Sequence, residues 1–183
     1  MKVQVIYHSL SGCTEKLARG IFERLDCEDK SLHDLSQGEP ELDGDVLLLG
    51  YWVDRAGPCQ PMRELMERVE GKHVGIFCTL AFWCDAAHGA ASLHNGAECV
   101  KARNTVIGGI VCNGHMSQKM LEAFRSMKAG PHSADPASEA RWELLKDHPS
   151  DCEISLAAER FNERLTLLRT LNAQGVAFPS IEI

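Results

Sequence analysis

The sequence predicts an α/β fold: a parallel sheet with helices on both faces. Three observations point to it. Apolar runs alternate with helical patterns five times along the chain, the order of consecutive strand–helix units. The strongest run, Asp45-Val46-Leu47-Leu48-Leu49-Gly50, is apolar throughout, as strands covered on both faces are. The segments after these runs are rich in Ser, Thr, Gly and aromatic residues, and in such sheets ligands bind beyond the carboxyl ends of the strands.

The elements follow in order. Lys2 to His8 reads as a buried strand, with Val3, Val5, Ile6 and Tyr7 apolar. From Thr14 to Leu25, Leu17, Ala18, Ile21, Phe22 and Leu25 recur at helical spacing. Asp26 to Leu35 is polar and holds at most a short edge strand; Gly38, Pro40 and Gly44 then punctuate a loop. Asp45 to Gly50 is a central strand, and the loop Tyr51 to Pro58 follows. A helix is expected from Gln60 to Glu70, a strand from His73 to Cys78, and a loop from Thr79 to Trp83. The helix from Ala86 to Arg103 is weakened by Gly89 and Gly96. Thr105 to Cys112 is the last strand, ending at Asn113-Gly114-His115, and Ser117 to Lys128 is helical. After a loop from Ala129 to Pro136, helices are expected at Ala137–Lys146 and Glu153–Leu171, then an irregular tail from Gly175.

At 183 residues the chain fits one domain with a sizeable core. The net charge of −7 argues against nucleic acid and anionic membrane as partners and suits a basic protein surface. No apolar leader opens the sequence and no run spans a bilayer, so a cytoplasmic protein is expected. The eight cysteines include no C-x-x-C pair, so free thiols are expected rather than a zinc ribbon or redox dithiol. Cys78, Cys84, His88 and His94 can be drawn as a metal cluster, but their spacing is irregular.

The stretch Ser9-Leu10-Ser11-Gly12-Cys13-Thr14, between the first strand and first helix, has the makings of a phosphate socket. Hydroxyls of Ser9, Ser11 and Thr14 can donate, Gly12 lets the backbone approach, and free N–H groups at a helix start favour an anion. The plain alternative is an N-cap loop. No Walker or G-x-G-x-x-G pattern is present, and Lys16 is the only nearby cation in sequence. Loops 51–57, 79–83 and 113–115 share that sheet edge and bring Tyr51, Trp52, Phe82 and Trp83 with them. A phosphate socket beside flat aromatics suits a phosphorylated planar heterocycle, and FMN is the economical candidate.

On these residues the chain resembles the flavodoxin family. Ser9 to Thr14 is similar to the family's FMN phosphate loop, T/S-x-T/S-G-N-T, with Cys13 where Asn is usual. Leu48-Leu49-Gly50-Tyr51-Trp52-Val53-Asp54 with Gly57, the run Gly71 to Leu80, and Gly109 to Gly114 resemble a G-Y-W / T-L-G branch of flavodoxin-like proteins, with Ala81 in place of a Gly. The resemblance implies a flavodoxin-like three-layer sandwich, five parallel strands in the order 2-1-3-4-5, with the C-terminal helices of 129–183 as an extension packed on or beside it. It implies non-covalent FMN held by Ser9, Leu10, Ser11, Gly12, Cys13, Thr14, Tyr51, Trp52, Val53, Asp54, Gly57, Thr79, Leu80, Ala81, Phe82, Trp83, Cys112, Asn113 and Gly114. Trp52 would flank the ring, Gly57 would let a backbone peptide reorient toward it, and Asp54 near it would lower the potential.

The leading functional reading is an FMN-binding electron carrier between a reductase and an acceptor enzyme, monomeric or dimeric. The alternative is an FMN-dependent NAD(P)H:acceptor reductase of quinone type. A third reading is a flavin-free interaction module.

Overall fold

The computed structural model describes residues 1–127 and 134–183. The expected loop at Ala129–Pro136, and the end of the preceding helix at Lys128, lie largely outside them. The elements are β1 (Val3–His8), α1 (Cys13–Arg24), β2 (Lys30–Asp34), β3 (Val46–Asp54), β4 (Gly57–Pro58), α2 (Gln60–Met66), β5 (His73–Leu80), α3 (Ala87–Val100), β6 (Thr105–Asn113), α4 (Gln118–Ser126), α5 (Pro136–Leu145) and α6 (Asp151–Ala173). The sheet runs β2-β1-β3-β5-β6, all parallel, with the two-residue β4 antiparallel to the end of β3. Setting β4 aside, this is the expected order 2-1-3-4-5. No helix among the described residues is long and apolar enough to cross a membrane.

The strand period of two explains the layers. On one face Val3, Val5, Tyr7, Leu48 and Phe77 pack with Leu17 and Ile21 of α1 and with Ile154, Phe161, Leu165 and Leu168 of α6. On the other, Ile6, Leu47, Leu49, Tyr51 and Ile76 pack with Met62, Leu65 and Met66 of α2 and Ala97 and Val100 of α3. Residues odd in β1 and even in β3 share a face because Val5 pairs with Leu48 and Ile6 with Leu49. The thiols of Cys59 and Cys78 belong to this second core, and burial pushes them up to about 11 and about 12 respectively. They are inert at neutral pH.

Three stretches differ from expectation. The apolar run of β3 continues through Tyr51, Trp52 and Val53 to Asp54, because the chain folds back there as a hairpin onto Gly57–Pro58. The helix expected to reach Glu70 ends at Met66, and the one expected to reach Arg103 ends at Val100. The tail lies along the free edge of β6: Ile181 N–H donates to the Val106 carbonyl at 2.8 Å, and Val106 N–H donates to Ser180 Oγ at 3.1 Å. That contact covers an edge strand that would otherwise offer unpaired backbone groups.

Helix α6 completes the layer beside α1. Its N-terminus carries a capping box, Ser150 with Glu153. The two helices approach closely at Gly20, where an added Cβ would lie 2.3 Å from Ile154 Cγ2. Gly20→Ala therefore forces α6 outward. The overpacking costs about 1–3 kcal/mol, offset in part by the better helix propensity of alanine, about 1 kcal/mol. A double variant with Ile154→Ala should lose less stability in urea than the two single losses added together.

Candidate functional site

The site begins at the start of α1. Gly12 is the N-cap at φ +90°, and no side chain caps the helix. A Cβ on Gly12 would meet nothing within 4 Å, so the cradle is open on that side. Ser9 Oγ accepts from Gly12 N–H at 3.1 Å, and Ser11 Oγ donates to Cys13 Sγ at 3.2 Å. Both hydroxyls shape the loop, and Leu10 at its tip is 51% exposed. Thr14 departs from expectation: it is buried, and its hydroxyl bonds the Thr79 hydroxyl at 2.9 Å, tying α1 to β5. Cys13 is buried too. Its sulfur accepts from His115 N–H at 3.1 Å and lies 3.3 Å from His115 Nδ1, so it clasps the first loop to the fourth. The expected nearby cation, Lys16, donates to the Asp147 carbonyl at 2.9 Å, turning away to the segment before α6.

The second and third loops bring some expected residues together and not others. Tyr51 is not at the edge; it is fully buried in the core beneath α3 and donates to the Ser92 carbonyl at 2.8 Å. Trp52 does reach the crevice, and its indole N–H donates to His8 Nδ1 at 3.2 Å, which fixes the ring. Asp54 is exposed on the hairpin. The left-handed residues of that hairpin are Arg55 at φ 48° and Ala56 at φ 61°, whereas Gly57 is buried in β4. The conformational freedom expected of Gly57 is thus needed one and two residues earlier, at non-glycine positions, where it stores strain. Val53, Thr79, Leu80 and Ala81 line the crevice with Trp52. Phe82 lines a neighbouring cavity, and Trp83 is 40% exposed and lines neither that cavity nor the crevice. Cys112 is buried in the core, with burial pushing its thiol up.

The fourth loop serves as a tie. Asn113 Oδ1 accepts from Cys84 N–H at 2.8 Å, and Gly114 N–H donates to the Leu80 carbonyl at 2.8 Å. Beyond it come residues the sequence reading left out of the site. Met116, Ser117 and Met120 close the crevice over Ser11, Trp52 and Ala81. Leu121, Trp142 and Leu145 of α4 and α5 wall an adjoining cavity of about 460 Å³ over Leu10 and Ser11. The helical patterns of these segments were legible in sequence. Their place over the strand ends was not, because periodicity says nothing of where a helix after the last strand will dock.

Glu153 anchors this roof. One oxygen accepts from Asn113 N–H at 2.9 Å, and the other accepts from Ser150 N–H and Oγ and from His148 Nδ1. Burial raises the pKa of this carboxyl, but the Ser150 and Asn113 amides, the Ser150 hydroxyl and His148 outweigh it and hold it below the ordinary value. A depressed carboxyl stabilises the fold fully above its unfolded pKa of about 4.3, and that contribution fades as pH falls through the folded value. Glu153→Ala removes a cap worth about 1 kcal/mol and orphans the Asn113 amide at about 1–3 kcal/mol. The expected fall in Tm at pH 7 is roughly 5–10 °C, and the gap to the wild type should narrow below pH 4.

These residues suit a phosphorylated flat ligand: an open glycine cradle at an uncapped helix start, then a crevice with a fixed indole on one wall. The pattern of the Flavodoxin domain family matches residues 4–162. The chain belongs to the flavodoxin domain family. Its membership supports the FMN assignment made from the sequence. It is 25% identical over 160 residues, 84% of this chain and 90% of the relative, to the flavodoxin-like domain-containing protein BilS of Clostridioides difficile (strain CD3). Among solved structures, the Fusobacterium nucleatum flavodoxin bound to flavin mononucleotide is similar at TM-score 0.51 and 14% identity, over 92% of this chain and 97% of that one. The flavodiiron core of Flv1 from Synechocystis sp. PCC6803 gives TM-score 0.56 at 11% identity, over 93% of this chain and 36% of that one. Oxidised flavodoxin 1 of Bacillus cereus gives 0.50 at 18%, over 85% and 97%. At these identities the structures speak for the fold alone.

Proposed function

We propose that this flavodoxin-family chain binds FMN non-covalently and carries electrons from a reductase to an acceptor enzyme. The observation that carries this reading is the uncapped start of α1 at Gly12, open to solvent and continuous with the crevice walled by Trp52 and Ala81. When bound, FMN supplies one- and two-electron redox chemistry. The chain's own residues do the rest. The amides after Gly12 and the Ser9 hydroxyl, which accepts from Gly12 and keeps its proton free, hold the phosphate. Trp52, locked by His8, orients the ring, and Val53, Leu80 and Met116 keep water from it. Exposed Leu10 at the crevice, with a net charge of −7, suits docking to a partner with a basic, partly apolar face.

Titrating FMN into the purified protein and following flavin fluorescence tests the first half. Quenching that saturates at one FMN per chain is expected, and FMN that stays free overturns the reading. Mixing the loaded protein with NADPH in a stopped-flow instrument tests the second half. The bands of oxidised flavin should persist until a reductase is added; rapid bleaching by NADPH alone would show a self-standing reductase instead.

A further inference from the structure

The indole that walls the crevice is held from behind. His8 ends β1 and is half-buried. The strand's period of two puts it on the face of Ile6, toward α2, and away from α1 and the phosphate loop that leads into it. There its Nδ1 meets two groups. The Trp52 indole N–H donates to it at 3.2 Å, and the Cys59 sulfur lies 3.6 Å from it. Cys59 is fully buried at the N-cap of α2, and burial pushes its thiol up to about 11, so it keeps its proton at neutral pH.

These contacts decide the state of the ring. An indole is a donor only, and a neutral imidazole offers one bare nitrogen and one N–H. Nδ1 is therefore the bare nitrogen, and the ring proton sits on Nε2. A second proton, on Nδ1, would meet the indole N–H hydrogen to hydrogen. The indole cannot reverse the bond, and the Cys59 sulfur is a weak acceptor. Proton uptake at Nδ1 and the hold on Trp52 thus exclude each other. Two carboxylates stand near this ring: Asp54, exposed on the hairpin beyond Trp52, and Asp34, opposite Tyr7 at the end of β2. Among the described residues the histidines in ion pairs are His94 and His148, not His8. Trp52 lines the crevice and His8 does not, so His8 acts on a ligand there through the indole.

We propose that His8 is a proton-sensitive positioning residue: with Nδ1 bare it holds the Trp52 ring ready for FMN, and a proton taken up at Nδ1 frees the indole and weakens FMN binding. That the occupant is FMN rests on the function proposed above; the coupling of His8 to Trp52 does not. By linkage, bound FMN opposes proton uptake at His8 by the same factor.

FMN affinities at pH 8 and pH 6, from fluorescence titration, test this in three proteins. Trp52→Phe keeps a flat ring without an N–H, so its pH dependence reports everything else, including the FMN phosphate, whose second proton titrates at about 6. Between the two pH values the wild type should lose about threefold or more beyond the loss in Trp52→Phe, the worth of one hydrogen bond. His8→Asn offers an amide oxygen to the indole and does not titrate. It should follow the shallow profile of Trp52→Phe while binding FMN at pH 8 more tightly than His8→Leu. A wild-type profile no steeper than that of His8→Asn overturns the proposal. So does wild-type affinity that rises toward pH 6, since His8 would then act as a charge on the phosphate. The FMN-free protein gives a separate answer. In ¹⁵N-labelled samples the Trp52 indole N–H resonance, identified by its absence from Trp52→Phe, should move between pH 8 and pH 6 in the wild type and hold still in His8→Asn. A resonance that stays fixed in the wild type overturns the coupling. If it moves but no FMN binds, the coupling stands and only the cofactor reading falls.

Discussion

Gly12→Val should cost at least about 100-fold in FMN affinity, since two losses of a few kcal/mol add and each 1.4 kcal/mol is a factor of ten. Gly12 holds φ +90° at the N-cap of α1, a conformation that a β-branched residue resists by about 1–2 kcal/mol. Relief of that strain turns the peptide and with it the amides that face the phosphate. Each charge-assisted hydrogen bond lost there is worth about 1.5–3 kcal/mol. The fold itself should survive, because the new Cβ meets no atom within 4 Å and the strain is confined to an exposed loop. Gly12→Asn grades the effect: asparagine tolerates the left-handed region, so it should keep most of the affinity. Fluorescence titration gives the affinities, and thermal melting of the FMN-free variants separates them from stability. A Gly12→Val protein that binds FMN like the wild type would mean the phosphate lies elsewhere.

Much of the fold is written in local pattern. The continuous apolar runs of β1, β3 and β5 and the helical spacing in α1 and α6 are strong enough to place each element, and a parallel sheet follows from their alternation, whereas its strand order is implied only by the family resemblance. The edges of elements were harder. The extension of β3 to Asp54 depends on a hairpin whose left-handed positions are Arg55 and Ala56, and neither residue signals such a turn. Tyr51 looked like a site aromatic because it ends an apolar run. The strand's alternation instead carries it to the α3 face, where its hydroxyl finds the Ser92 carbonyl. Trp52, one residue on, packs against the same core but is only partly buried and reaches the crevice. The phosphate loop was legible because its glycine and hydroxyls are contiguous. The roof over the crevice was not, since Met116, Ser117 and Met120 reach it only through tertiary contacts that Glu153 and Cys13 hold in place.

Truncation after Met127 should leave no folded protein. The sequence left open whether the last helix packs on the sheet or serves a partner. Its inner face supplies Ile154, Phe161, Leu165 and Leu168, all buried against β1, β3, β5 and α1. Four such side chains contribute about 6–12 kcal/mol by area, as much as the whole stability of a domain, about 5–15 kcal/mol. Deletion would also bare Val3, Val5, Leu17 and Ile21 to water, so the shortened chain should express as aggregate and show no cooperative melt. Phe161→Ala measures the same contact without removing the helix. The ring of Phe161 packs edge-on to Phe77 at 6.4 Å and fills the space that Gly75 leaves open, where a Cβ would lie 2.7 Å from it. Its loss should cost about 3–5 kcal/mol and lower Tm by roughly 10 °C. A soluble, FMN-loaded fragment of residues 1–127 would reverse the argument. The face of the sheet now under α6 would then tolerate exposure, and α6 would be free to leave it for a partner.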